Sequence, residues 1–272
     1  MDSFEPIPPG EPESLGTPLP QPPAPRAGEN PVFNLVDVLI IAVVAFVILV
    51  ICETAASIFV FSTHLVPGSF KEVAGNVLVA LPAQAVGYLL CIGFMALLIR
   101  GKYHTRLFDA VHWNPPSGRW VYGALALGTG LGLVNALSSG LLERWIPKSL
   151  PIEELFSSRS SAFALAAFGI FIAPPVEELF FRGFLYPALA RPLGSVLSMG
   201  LTGAFFALIH SPQLAHAWIP LLLLFAIGVI LTVVRAKTKS VATTVIIHMA
   251  YNTTLFILLY IGTGGFRHLE RA

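Results

Sequence analysis

Pro174-Pro175-Val176-Glu177-Glu178-Leu179-Phe180-Phe181-Arg182 decides the fold of this chain. The stretch closes an apolar run, so it places two carboxylates and a guanidinium where lipid is expected. An ionisable group at membrane depth costs at least about 2.5 to 3.5 kcal/mol on insertion scales, and a chain that keeps two adjacent acids there uses them. It reads as half of a catalytic site.

The surrounding composition fits a bilayer. Of 272 residues, 55% are apolar and 11% charged, with a mean hydropathy of +0.77; an ordinary soluble domain carries about 25% charge. The net charge of +1 implies neither nucleic acid nor an acidic partner. Cys52 and Cys91 both lie in apolar runs and read as packing residues, not as a disulfide or thiolate metal site.

Residues 1–31 are a different material. Nine of the first thirty are proline and no apolar period is visible, so a disordered, partly polyproline tail without a cleavable signal is expected. From Val38 onward come runs long enough to span, given about 20 residues per crossing: Val38 to Phe61, Val77 to Ile99, Trp120 to Leu142, Ala162 to Phe181 or beyond, Ser195 to His210 or beyond, Ile219 to Val234, and Val241 to Ile261. Seven spans are expected, with an eighth conceivable in Gly183 to Leu193. The fold class is an all-α polytopic membrane bundle. Its residues 32–150 supply spans without motifs, and 151–272 a catalytic core.

Loops after spans two, four and six hold nine lysines and arginines: Arg100, Lys102, Arg106, Arg119, Arg182, Arg191, Arg235, Lys237 and Lys239. The alternate loops hold Lys71, Arg144, Lys148 and Arg159. That bias makes the even loops and the N-terminus cytoplasmic. Tyr103 to Trp113 mixes apolar residues with a basic cluster and reads as an interfacial helix. Gly128, Gly130 and Gly132 lie inside a span with no preceding strand, so they read as a helix-packing face and not a dinucleotide loop.

The polar groups at membrane depth sort into two sets. Asp37, Glu53, Gln84 and Asn135 are scattered singly and read as helix-to-helix or interfacial groups. Glu177, Glu178, Arg182, His210, His248 and Asn252 concentrate in the second half. Glu178 and Arg182 are i and i+4 on one helix face, as are His248 and Asn252. Glu177 is turned by about 100° from Glu178 and can face a different neighbour. Ile152-Glu153-Glu154-Leu155-Phe156 echoes the acidic motif, yet Ser158 stands where Arg182 would and the segment reads as a solvated loop.

A carboxylate and an imidazole can activate water, and a second imidazole with an amide can hold an oxyanion. Alternatively, Glu177, His210 and His248 could ligate zinc with one open position. The residues alone leave these two assemblies open, though no HExxH is present.

Taken in order, Glu177-Glu178-x-x-x-Arg182, Phe206-x-x-x-His210 and His248-x-x-x-Asn252 resemble the CPBP family of type II CAAX prenyl endopeptidases and bacteriocin-processing or self-immunity proteins. The resemblance implies that Glu177 and His210 activate water, that His248 and Asn252 stabilise the oxyanion, and that Glu178 and Arg182 support the site. It implies an intramembrane cavity, a membrane-associated peptide substrate and a helical bundle in the lipid bilayer, here expected in a bacterial inner membrane. A metal is left open, because the family is described both as metalloprotease and as glutamate-dependent. The alternative is a non-catalytic scaffold or immunity protein on the same fold; a proton-coupled transporter lacks the paired broken helices.

One conflict remains at this level. Counted from opposite faces, Glu177 and His210 each lie roughly 22 Å deep, leaving a gap of about 14 Å in a 30 Å core. The fourth span must run past Phe181, the fifth past His210, or Pro174 and Pro175 must bend the helix.

Overall fold

The computed structural model describes residues 33–267; the expected tail at 1–31 lies outside them. Six helices are long and apolar enough to cross a membrane. They are α1 (Leu35–Ser62), α3 (Val77–Tyr103), α5 (Arg119–Leu141), α7 (Arg159–Leu193), α9 (Trp218–Thr238) and α10 (Val241–Gly262). Between them lie the short helices α2 (Phe70–Ala74), α4 (Leu107–Ala110) and α6 (Pro151–Glu154), and the shorter apolar helix α8 (Ser195–Ile209). No strand occurs among the described residues. Only 17 to 33% of the apolar windows of the six long helices is buried within the protein. Their remaining apolar surface therefore faces lipid.

The fifth expected span is α8, and at 15 residues it is only about 22 Å long. Gly183 to Leu193 is no eighth span but the continuation of α7. That continuation removes the depth conflict. Gly194, at φ +76°, joins α7 to α8 in a conformation that favours glycine. Glu177 stands 17 residues before this hinge and His210 16 after it, so both lie roughly 25 Å from it. The hairpin brings the two motifs to one level, and the Phe181 and Phe206 rings meet at 5.3 Å across it.

Proline explains the irregularity of α7. Pro174 and Pro175 carry no N–H and their rings would crowd the carbonyls four residues back. The helix widens to a π turn over Phe168–Ile172, and again over Leu179–Leu185 just before Pro187. Each widening frees one carbonyl. Ala173 N–H reaches back to Phe168 O, leaving Gly169 O; Tyr186 N–H reaches back to Phe181 O, leaving Arg182 O.

The glycine face is partly as expected. A Cβ at Gly128 would sit 2.7 Å from Ala250 Cβ and press on the Ile247 backbone, and one at Gly132 would sit 2.7 Å from Thr254 Cβ. Gly130 faces open space. So α5 packs directly on α10, the helix bearing His248 and Asn252. Gly128→Leu should force the two apart and destabilise the protein by about 1 to 3 kcal/mol. Gly130→Ala should be nearly neutral; thermal unfolding in detergent compares them.

The segment from Tyr103 to Trp113 departs from expectation. Beyond the end of α3 at Tyr103 only Leu107–Ala110 is helical, and Leu107, Ala110 and Val111 are buried. Val111 fills the space beside Gly183, while Phe108 points outward and meets Trp113 edge-on. Asp37 behaves as a helix-to-helix group: Lys102 Nζ pairs with it at 2.5 Å and the Tyr103 hydroxyl donates to it.

Candidate active site

Glu178 and Arg182 are both fully buried, and Arg182 Nη1 donates to Glu178 Oε1 at 2.8 Å. Neither charge could stay there alone, since an isolated buried ion is far more costly than a pair. Arg182 Nη2 donates to Gly228 O at 2.8 Å, and its Cζ lies 4.8 Å from the Phe206 ring centre. Gly228 can offer that carbonyl because α8 and α9 touch through glycine: a Cβ on Gly228 would stand 2.9 Å from Gly203 Cα.

The same carboxylate oxygen anchors α10. His248 Nδ1 lies 2.9 Å from Glu178 Oε1, so that nitrogen donates and Nε2 is directed elsewhere. What it meets is Glu177, whose Oε2 is 3.9 Å away. Glu177 is half-buried, on a different face from its neighbour, as the helical turn requires. A water molecule can bridge two groups at that separation.

His210 caps the end of α8 and is half-buried. Its Nδ1 donates to Phe206 O at 2.8 Å, which leaves Nε2 as the acceptor. The Phe206 ring stands between the two histidines, 5.0 Å from His210 and 5.7 Å from His248 by ring centres. Asn252 is held differently. Its Nδ2 donates to Gly169 O at 2.6 Å, the carbonyl freed by the first π turn, so one N–H is committed to joining α10 to α7. Glu177, Glu178, Arg182 and His248 are thus one contact cluster. His210 joins it through Phe206, and Asn252 lies one turn along α10.

The zinc set left open by the sequence is not gathered in this arrangement. Ligands about 2.0 to 2.1 Å from one tetrahedral ion stand roughly 3.3 Å apart, whereas Glu177 and His248 are 3.9 Å apart. Among the described residues no three His, Cys, Asp or Glu side chains form a metal-holding group, Glu177, His210 and His248 included.

Arg235 is the residue that sequence reasoning misplaced. Counted there as a loop cation, it is buried in α9, donating from Nε to Arg182 O at 3.1 Å and from Nη2 to Val111 O at 3.3 Å. It takes the carbonyl freed by the second π turn and ties α7, α9 and the loop after α4 together. A signal was present: Gly228, Thr232 and Arg235 share one helix face. Arg182 is likewise no loop charge, so two of the nine basic residues leave the topology count.

An α-helical intramembrane bundle with paired acids and histidines on separate helices defines a class, and one comparison speaks to it. Residues 159–254 match the family described as Type II CAAX prenyl endopeptidase Rce1-like. The matched stretch contains all six candidate residues and supports the assignment to the CPBP family read from the three motifs. No curated protein and no solved structure matches the chain. At the family level this match supports an intramembrane protease of the CAAX type.

Proposed function

We propose that the protein hydrolyses a peptide bond of a membrane-associated substrate, of the prenylated CAAX or bacteriocin-like kind, using Glu177 as general base. The observation carrying this reading is the Glu177–His248 approach at 3.9 Å, with His248 fixed from behind by Glu178 and Arg182. Water attacks the scissile carbonyl carbon while Glu177, with His210, accepts its proton. The oxyanion that forms is held by His248, whose ring Glu178 fixes from behind, and by the remaining Asn252 N–H. The proton then passes to the amine nitrogen, the C–N bond breaks, and a carboxylate and an amine leave. The basic loops and the N-terminus face the cytoplasm of a bacterial inner membrane in this reading.

The test uses the full chain in vesicles with an internally quenched peptide ending in a farnesylated CAAX sequence. Cleavage, faster with the prenyl group than without, is the expected result. A folded, inserted protein that cleaves neither peptide would replace the endopeptidase reading with the scaffold or self-immunity one.

A further inference from the structure

A cavity of about 360 Å3 opens where α7 begins and α10 ends, and it shares no lining residue with the candidate active site. Two of its six lining residues are Arg159 and Arg267, with the Tyr260 hydroxyl-bearing ring, Ile261, Gly264 and Gly265 making the remainder. Among the described residues no carboxylate lines it. Neither guanidinium has an ion-pair partner among the described residues.

The chain builds this end deliberately. Gly264, Gly265 and Phe266 all have left-handed φ, at 61°, 80° and 59°. For phenylalanine that conformation is strained and persists only where its surroundings impose it. Phe266 is buried edge-on against Phe163 of α7 and Tyr260 of α10, with ring centres at 5.1 and 5.3 Å. The aromatic contact locks the turn and delivers Arg267, the next residue, to the cavity that Arg159 borders from the other helix.

Charge at a helix C-terminus would ordinarily oppose an anion. Here the turn closes back on it: Thr263, Gly264 and Gly265 N–H donate to Leu259 O, Ile261 O and Tyr260 O. The backbone donors are spent as well, with Phe266 N–H on Thr263 Oγ1 and Arg267 N–H on Thr263 O. On the α10 side, then, side chains must hold whatever binds. Two planar guanidinium forks match a phosphate group, and the end of two membrane spans is the level of lipid headgroups.

We infer that Arg159 and Arg267 form a binding site for a phosphate-bearing anion, independent of the endopeptidase reading. The test measures the thermal unfolding midpoint of the full chain in neutral detergent at constant ionic strength. The probes are phosphatidylglycerol in mixed micelles, or inorganic phosphate. Wild-type protein should be stabilised in a saturable way, and R159Q/R267Q should bind at least about tenfold more weakly while keeping its ligand-free midpoint. Stabilisation by phosphatidylglycerol alone assigns the phosphate to a lipid headgroup; equal stabilisation by inorganic phosphate assigns it to a free ion. Should the double variant fail to fold, R159Q and R267Q are measured singly, and each should weaken binding. Variants that respond as the wild type does, or a wild type that responds to neither probe, would overturn the site.

Discussion

Glu177→Gln is expected to lower the cleavage rate by about 10²- to 10⁴-fold, the range supplied by a positioned general base, with insertion and unfolding temperature close to wild type. Glutamine keeps the size of the side chain and can still accept a hydrogen bond, so it removes little besides the ability to take a proton. Glu177 is half-buried and stands outside the Glu178–Arg182 pair, and its buried neighbour His248 keeps Glu178 as a partner when that charge is lost. The natural control is the echo of the motif in α6. Glu153 Oε2 accepts from Leu150 N–H at 3.1 Å in the first turn of a short exposed helix, and Glu153→Gln should leave cleavage unchanged. Single-turnover cleavage of the prenylated peptide compares the two. If Glu177→Gln cleaves at the wild-type rate, Glu177 is not the base.

The contrast between those two acidic pairs shows how much the sequence made legible. The i, i+4 spacing of Glu178 and Arg182 gave their contact directly, because helix geometry alone decides it. Ser158, in the place of an arginine, proved to be the N-cap of α7, accepting from Ser161 N–H at 3.1 Å. Spacing also placed His248 and Asn252 on one face, but it could not say what each would meet. One reaches Glu178 and the other Gly169 O, and the second partner exists only because a π turn released that carbonyl. Nor does a hydropathy pattern register where a long helix ends or which way a hinge folds. The shared level of Glu177 and His210 depends on the continuation of α7 to Leu193 and on the turn at Gly194, and both lie inside apolar sequence. Arg235 escaped for a related reason: a cation near a span end looks the same whether it snorkels outward or turns inward to cap a carbonyl.

Removing Arg182 should have the largest effect on stability. Arg182→Gln leaves the fully buried Glu178 without its guanidinium partner, and breaking one side of such a pair costs about 3 to 5 kcal/mol. It also strips Gly228 O of one donor and the Phe206 ring of its cation. Arg182→Lys should not rescue, because one ammonium cannot reproduce the fork that holds Glu178 Oε1 and Gly228 O together. Pairing the change with Glu178→Gln separates the two contributions. The double variant buries no ion at these positions, and it should be more stable than the sum of the single losses predicts. The glutamine Oε at position 178 can still accept from His248 Nδ1, so the ring stays oriented while the negative charge beside it is gone. Cleavage by the double variant should therefore remain depressed even where stability recovers, with the loss in kcat and little change in KM. Strict additivity in unfolding measurements would show that the pair is not coupled. Full recovery of kcat would show that His248 needs only orientation from Glu178, and not its charge.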